Sequence, residues 1–463
     1  MPNTTNKPRI IRDKSFYKMM FALALPVTLQ NVVIFLTQMI DTVMLGELGD
    51  VAMSASSLGN QPFFLFNMLT FGLGSGAAVL TAQYWGKGEM KPIKLIITMI
   101  VRFAVFIGLI VCIVSFIFPE RIMSIFTPDP EVIKAGASYI KIICFSYPFF
   151  GLVNVFYTSI RSIEAVKIAV ISNLVALFTN GFLNYVLIFG NFGAPALGVQ
   201  GAAIATLIAR IVEFAIAICY MFIIDKKLQF KIKDYLKFDK VLCKDLITIS
   251  SPVVANELMW AMGMSMQAGL LGRLGTTAVA ANSIISVVQQ LSTVAVFGLA
   301  GSAAVLIGKA IGEGNMQEAR DRGHTFKIIS IIFGAFVTVL ILSLQNVAID
   351  FYNVTDATKE LAHQMIYVAA ATGFFVSIAA TGIVGILRGG GDTKFSLVIE
   401  VVSLWFVAVP AAYFVAFVLH WPPVFVYLVM KIDEPVKDIL FLIRARGSKW
   451  IRNVTREYVI IDE

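Results

Sequence analysis

The chain has 463 residues, of which 58% are hydrophobic and only 14% are charged. A water-soluble domain carries roughly 45–50% apolar and about 25% charged residues. The composition therefore excludes an ordinary soluble globular protein and indicates that many apolar side chains face lipid. The four cysteines lie far apart and the three histidines stand singly, so neither a disulfide framework nor a zinc site is predicted.

Long apolar runs follow one another along the whole chain. The first 18 residues are polar and basic, and the next run lacks a small-residue cleavage site, which predicts a retained first span. A membrane-crossing helix needs about 20 apolar residues. Twelve such helices are predicted, at 19–44, 52–84, 93–118, 133–160, 166–189, 196–224, 247–272, 278–308, 326–351, 361–387, 395–419 and 421–443. Charged residues from Lys431 to Asp438 interrupt the last run, so we expect this helix to be short, tilted or partly cytoplasmic.

Basic residues fall mainly in alternate connectors. If the N-terminus is cytoplasmic, the cytoplasmic connectors hold most of the Lys and Arg, including the lysines from Lys226 to Lys244. The external connectors hold only Arg121, Lys134, Arg273 and Lys359. By the positive-inside rule, the chain is a multi-pass cell-membrane protein with both termini in the cytoplasm. The net charge of +8 is then mainly a topology signal, and nucleic-acid binding is not expected.

An internal repeat relates the two halves of the chain. Pro26 and Gly46 match Pro252 and Gly272 at a spacing of 226 residues, and the loop from Arg161 matches the loop from Arg388 at 227. The sequence therefore predicts an N-terminal lobe at 1–224, a cytoplasmic linker at 225–245 and a C-terminal lobe with a cytoplasmic tail at 246–463. Six spans per half give both copies the same orientation, related by a pseudo-two-fold axis along the membrane normal. This all-α arrangement is typical of secondary transporters, whose sites lie between the repeats.

The first span carries a buried acid at the end of a polar stripe. Asp41 shares roughly one helix side with Asn31, Thr37 and Gln38. A carboxyl group withdrawn from water binds a proton more readily, so this stripe predicts a site for a proton or another cation. The alternative is a carboxylate that caps the external helix end or reaches towards water there.

The seventh span carries a second acid. Glu257 lies on one helix face with Trp260 and Met264, at spacings of three and seven residues. An acid beside an aromatic ring and a thioether suits a lipophilic cation. The alternative is a carboxylate satisfied by a neighbouring helix, with Trp260 and Met264 as ordinary packing.

The fifth span has a polar face formed by Asn173, Asn180 and Asn184. The equivalent positions of the second half are Glu400, Val407 and Ala411, so this face is largely confined to the first half. The asparagines either form part of a site or join helices through hydrogen bonds.

Two cations occupy equivalent places in the sixth and twelfth spans. Arg210 and Lys437 each have a nearby acid, Glu213 and Glu434, so structural pairing or contact with the membrane surface is predicted.

Two prolines and one glycine-rich loop complete the sequence features. Pro26 and Pro252 interrupt the hydrogen-bond ladders of their helices and are predicted hinges. The loop Arg388–Lys394 lacks the GxxxxGK[ST] pattern of a phosphate cradle, so a tight cytoplasmic turn is expected. The sequence contains no hydrolase or kinase motif, and it does not predict an enzyme.

Several of these motifs together resemble the multidrug and toxic compound extrusion (MATE) transporters. They are QMIDTVMLGELG with Asp41, GSGAAVLTAQYWGKGE, NGFLNYVLIFGNFGAPALGVQGAAIAT and LRGGGDTK, and the resemblance covers essentially the whole chain. It implies twelve helices in two lobes around a V-shaped cleft. It also implies export of amphipathic, often cationic compounds in exchange for entering H⁺ or Na⁺, without a cofactor.

The resemblance also implies roles for individual residues. Asp41 matches the family's first-helix acid, Glu257 its seventh-helix acid and Asn180 its fifth-helix polar partner, while Asn184 stands where one branch has an aspartate. The tenth span lacks the interior acid of another branch. Ion coupling is therefore expected from Asp41, Asn180, Asn184 and Glu257, with Na⁺ possible at Asp41 or Glu257. The drug site is expected to include Glu257, Trp260, Met264 and Gln38.

The expected function is cation-coupled drug antiport by alternating access, in a monomer surrounded by membrane lipid. A flippase for lipid-linked oligosaccharides is the alternative of related architecture. Such a protein would need several cavity cations to hold pyrophosphate, whereas the central spans here are acidic and amide-rich. A receptor or structural scaffold would not need two homologous halves with different buried acids.

Overall fold

The computed structural model describes residues 7–352 and 354–457, and within them the chain is helical without strands. The helices of the first half are α1 (Lys14–Gly46), α2 (Asp50–Gly59), α3 (Gln61–Lys87), α4 (Met90–Ile117), α5 (Pro119–Phe126), α6 (Pro130–Ile143), α7 (Tyr147–Arg161), α8 (Lys167–Phe189) and α9 (Val199–Cys219). Each predicted span of this half falls in one helix or in two consecutive helices, because a backbone in lipid must satisfy its own hydrogen bonds.

The second half continues with α10 (Lys240–Arg273), α11 (Thr276–Gly312), α12 (Met316–Phe351), α13 (Asp356–Ala380), α14 (Thr393–Glu400), α15 (Val409–Phe417), α16 (Pro423–Met430) and α17 (Asp433–Arg446). Two wider π-helical segments interrupt the regular α-helices here. Thr381–Arg388 extends α13, and Val401–Ala408 joins α14 to α15. Such segments are rare and often lie at functional sites.

Ten helices, some of them interrupted, are long and apolar enough to cross a membrane within the described residues. They include ten of the twelve predicted spans. The predicted span 247–272 lies in α10, which is long but is not among the ten. The predicted last span, 421–443, forms two helices, α16 and α17, with a break at Lys431 and Ile432, where the predicted interruption by charged residues begins. Charged residues clustered after the break make α17 far less apolar than α16.

The chain forms two compact units, and each of them is made of segments that are not continuous in sequence. One unit comprises residues 1–28, 79–89 and 248–463, and the other comprises 29–78 and 90–247. The core of the first unit includes Ile285, Val337, Met365 and Tyr427. The core of the second includes Phe66, Tyr139, Tyr147, Ile188 and Ala203. Each unit therefore buries its own apolar side chains between helices.

Both predicted hinge prolines lie inside long helices, Pro26 in α1 and Pro252 in α10. Near Pro26 another helix approaches very closely. A side chain at Gly298 would overlap the Ala24 carbonyl oxygen and the Thr28 hydroxyl, so only glycine allows this approach. The bending of these helices stays a prediction.

The segment that follows α17 is held against the glycine-rich loop. The Arg452 amide donates a hydrogen bond to the Gly390 carbonyl oxygen at 2.7 Å. The Gln83 side chain donates to the Arg452 carbonyl oxygen at 3.0 Å and accepts from the Val454 amide at 2.8 Å. The loop itself is a tight turn, as expected, with Gly391 at a φ of 88°. Its residues 388–393 are buried, however, and not exposed at a surface as the sequence implied.

Candidate functional site

A chain of hydrogen-bonded polar side chains joins α1, α8 and α9. Asn184 donates from Nδ2 to Asp41 Oδ1 at 2.5 Å and to Asn180 Oδ1 at 3.2 Å. Asn180 in turn donates from Nδ2 to Thr206 Oγ1 at 3.1 Å. Asn180 and Asn184 are one turn apart on α8, so both amides face the same neighbours. The structure therefore brings Asp41 of α1 together with Asn180 and Asn184 of α8, as the prediction of a shared ion site requires.

The two asparagines are almost completely buried, with exposed fractions of 1% and 0%, whereas Asp41 is half-buried. Asn184 Oδ1 is buried and has no hydrogen-bond partner among the described residues. An unpartnered buried acceptor is costly in an apolar environment. The site thus offers a carboxylate and a free amide oxygen, the kinds of oxygen atom that bind a proton or a hard cation.

Arg210 lies within electrostatic range of Asp41, but its direct contacts are with other side chains. It forms the ion pair expected with Glu213, at 2.6 Å, and its guanidinium stands 5.0 Å from the centre of the Phe150 ring. Glu213 and Phe150 therefore hold this cation, and the short contact of Asp41 is with an amide.

The second predicted acid is part of a buried ion pair. Glu257 Oε1 lies 2.7 Å from Arg388 Nη2, and the two residues are 8% and 2% exposed. With its amide oxygen turned towards Arg388, Asn256 accepts from the same nitrogen at 3.0 Å and donates to the Ser396 carbonyl oxygen at 3.1 Å. This is the contact given as the alternative for Glu257, a carboxylate satisfied by a neighbouring element. Its role at a drug site stays a prediction.

The other predicted drug-site residues are more accessible than Glu257. Trp260 is half-buried, while Met264 and Gln38 are exposed, Met264 by 37%. Trp260 and Met264 follow Glu257 on α10 at helical spacing, so all three are on one side of that helix.

A larger charged cluster surrounds Lys437 on α17. Lys437 Nζ lies 2.8 Å from Asp433 Oδ2, 3.2 Å from Glu434 Oε1 and 3.2 Å from Glu400 Oε1. The pairing of Lys437 with Glu434 was expected from the sequence. The participation of Asp433 and of Glu400, from α14, was not.

Sequence reasoning missed Arg388 and Thr206 as well. Arg388 was assigned only to a surface turn, although it matches Arg161 in the repeat and ends a π-helical segment. Thr206 lacks a distinctive sequence signal, because threonine is common in buried helices. Only the packing of α8 against α9 brings it to Asn180.

The polytopic helical fold, the repeated halves and the polar groups buried between helices are those of a membrane transporter. Comparisons with known proteins narrow this class. The MatE family model matches residues 26–186 and 252–414, and the two matches begin 226 residues apart, as the repeat predicts. The chain belongs to the MatE family, the MATE transporters, and it is not an enzyme.

Curated relatives and solved structures agree with this assignment. A probable multidrug resistance protein NorM of Thermotoga maritima is 27% identical over 446 residues, which are 96% of this chain and 95% of that protein. A probable multidrug resistance protein YoeA of Bacillus subtilis is 24% identical over 416 residues, 89% of this chain and 90% of that protein. The crystal structure of a MATE protein in complex with MaL6 has a TM-score of 0.85 at 17% identity, covering 93% of this chain and 96% of that chain.

Proposed function

We propose that the protein exports amphipathic, often cationic, toxic compounds in exchange for H⁺ or Na⁺ and that Asp41 binds the coupling ion. The hydrogen-bonded chain of Asp41, Asn184, Asn180 and Thr206 carries this proposal, since it joins a carboxylate to an unpartnered buried amide oxygen. The names of the curated relatives, which are probable multidrug resistance proteins, support the choice of drugs as substrates.

The ion acts by changing the hydrogen bonds of Asp41. A proton or Na⁺ that arrives from outside neutralises the carboxylate and recruits the Asn184 oxygen. The packing of α1 around Pro26 then changes and the drug is released outside. An ion can shift such an equilibrium only by its differential affinity for the two states, so the site must bind the ion more tightly in one state.

Substrates are recognised mainly by the half-buried and exposed side chains Trp260, Met264 and Gln38. An aromatic ring and a flexible thioether accommodate many lipophilic cations. Glu257 adds negative charge on the same side of α10 as Trp260 and Met264, and Arg388 balances it. The protein acts as a monomer in the cell membrane, with both termini in the cytoplasm. A flippase is less favoured, because the buried cations Arg388 and Lys437 already face carboxylates.

Ethidium accumulation in a pump-deficient host tests the proposal. The wild type should lower accumulation, and Asp41→Asn should abolish most of this effect, by tenfold or more. Asp50→Asn is the matched control, because Asp50 is an exposed acid close to the same helix end. Retained drug resistance in a correctly inserted Asp41→Asn variant would contradict the proposal.

The coupling ion is identified in membrane vesicles. Dye transport is measured under an imposed pH gradient and, separately, under an imposed sodium gradient. Transport driven by neither gradient would refute cation coupling, whereas a response to only one gradient identifies the ion.

A further inference from the structure

The buried charges of the second half do not balance. The pair of Glu257 with Arg388 and the cluster around Lys437 are close neighbours, because Glu257 and Glu400 lie within electrostatic range of each other. Together with Asp438, the carboxylates of this network number five, and they face two cations. Full ionisation would leave three uncompensated negative charges in a buried region, which is strongly unfavourable.

Of the five carboxyl groups, Asp438 has the fewest interactions that would stabilise a negative charge. It is 5% exposed, and neither of its side-chain oxygens has a hydrogen-bond partner among the described residues. It stands one turn after Glu434 on α17, and its electrostatic neighbours are Glu434 and Lys437. Lys437 already has three carboxylates within 3.2 Å, so it cannot also compensate Asp438 fully.

A second unpartnered group lies on an adjoining element. Ser403 is fully buried, and its hydroxyl has no hydrogen-bond partner in the part of the chain that is described. It follows Glu400 by three residues, in the π-helical segment that contacts α17. Unsatisfied oxygen atoms therefore occur on both elements that form the cluster.

Among the described residues, the electrostatic neighbours of Asp438 are Glu434 and Lys437. α17 packs against α13, whose residues 368–380 include no ionisable side chain. Phe441, three residues after Asp438, contacts Gly382. The charged groups that face Asp438 are therefore Glu434 and Lys437, with Asp433, Glu400, Glu257 and Arg388 further along the network.

We infer that the second half has a proton-binding site of its own, in which Glu434 and Asp438 hold protons that reduce the excess negative charge of the network from three to one. A proton fits better than a metal ion, since the described residues contain no group of three or more Asp, Glu, His or Cys side chains arranged to hold one. This site is separate from Asp41 and does not require the export of any drug.

Infrared spectroscopy of the full-length protein in lipid nanodiscs tests the inference. A protonated carboxyl group has a carbonyl stretching band that a carboxylate lacks. The wild type at neutral pH should show such a band, and Asp438→Asn should remove the intensity of one carboxyl group. Asp41→Asn is the control, and it should leave this component in place. An identical carboxyl band in the wild type and in Asp438→Asn, at pH values on both sides of neutral, would overturn the inference.

Two further measurements keep the test decisive. If Asp438→Asn does not insert, Glu434→Gln should shift or remove the same band, and an unchanged band would again count against a shared proton. In the Asp41→Asn background, which removes the proposed ion site of the first half, replacing choline chloride by sodium chloride should leave the carboxylate bands unchanged. A sodium-induced change that disappears in either variant would assign the site to a metal ion and refute the proton. If dye export is lost while the carbonyl band of the protonated carboxyl groups stays normal, the result contradicts only the proposed function and leaves this inference standing.

Discussion

The two halves of the molecule share one repeat but differ in what they place at equivalent positions. Asp41 of the first half corresponds to Gln267 of the second, which is 5% exposed and donates from Nε2 to the Met430 carbonyl oxygen at 3.1 Å. The partners of Asp41 on α8, Asn180 and Asn184, correspond to Val407 and Ala411. The second half has therefore replaced the candidate ion site by a neutral side chain bonded to the backbone.

The opposite asymmetry occurs near the repeated loops that begin at Arg161 and Arg388. Arg388 meets Glu257 and Asn256, whereas Arg161 of the first half meets Gln30, at 3.5 Å. Gln30 is the repeat equivalent of Asn256, and Asn31 that of Glu257. Both halves thus keep an arginine beside an amide, but only the second adds the carboxylate. The repeat has preserved positions while the charges at these positions have diverged.

The largest expected difference between the halves concerns the two equivalent cations. Lys437→Met should lower the free energy of unfolding by about 3–5 kcal/mol, because it leaves buried carboxylates uncompensated. Arg210→Met should cost clearly less, since the Arg210 side chain is 21% exposed and pairs with a single acid. Thermal unfolding in one detergent compares the two variants. Equal losses of unfolding free energy would show that the Lys437 cluster depends on its cation no more than the single pair of Arg210 and Glu213 does.

The next largest effect comes from making the first half resemble the second at α8. Asn184→Ala introduces the residue that the second half has at this position, and it removes the hydrogen bond to Asp41. A hydrogen bond to a charged group contributes about 1.5–3 kcal/mol, so dye export should fall by about tenfold or more. Asn191→Ala is the control, because Asn191 is outside this site and its side-chain amide donates to the Tyr185 carbonyl oxygen at 3.0 Å. Normal dye export in Asn184→Ala would show that Asn184 takes no part in the ion site.

A double-mutant cycle measures the interaction between Glu257 and Arg388, the ion pair that the first half lacks at the equivalent positions. Glu257→Gln and Arg388→Gln should each destabilise the protein, and the double variant should cost less than their sum by about 1–2 kcal/mol. Dye affinity is measured on the same variants. If the double variant regains wild-type affinity, Glu257 serves mainly to balance Arg388. If affinity stays low whenever Glu257 is absent, Glu257 contributes directly to the drug site.

The smallest expected effect is at Gln267. Gln267→Leu should lower the free energy of unfolding by about 1 kcal/mol, the net contribution of one hydrogen bond, and dye export should be almost unchanged. Export as low as in Asp41→Asn would mean that the neutral counterpart also takes part in ion coupling. The same unfolding and ethidium measurements decide this.

The helical architecture was predictable because an apolar run of about 20 residues in lipid must satisfy its own backbone hydrogen bonds, and a helix does so. Ten of the predicted spans correspond to helices long and apolar enough to cross a membrane. The last run was predicted to be interrupted from Lys431 to Asp438, and the structure places the break at Lys431 and Ile432. Hydropathy averages over a window, so the charged residues indicated the interruption and the structure gave its position.

The site was predictable only in part, for a related reason. Helical spacing placed Asn180 and Asn184 on one face of α8, and the structure joins them to Asp41. Periodicity describes one helix at a time, so it gave no indication that Arg388 reaches Glu257 or that Glu400 reaches Lys437. Such pairs depend on contacts between elements distant in sequence.

The segment beyond α17 matters for anyone who shortens or tags this protein. Asp392 is fully buried, and its carboxylate is held by Arg444 at 2.7 Å and by Arg452 at 3.0 Å. A deletion that begins at Lys449 would remove Arg452 and also the backbone groups that bond to Gln83 and Gly390. An affinity tag or fluorescent fusion should therefore leave residues 449–456 intact, because this stretch closes over a buried acid that would otherwise meet water.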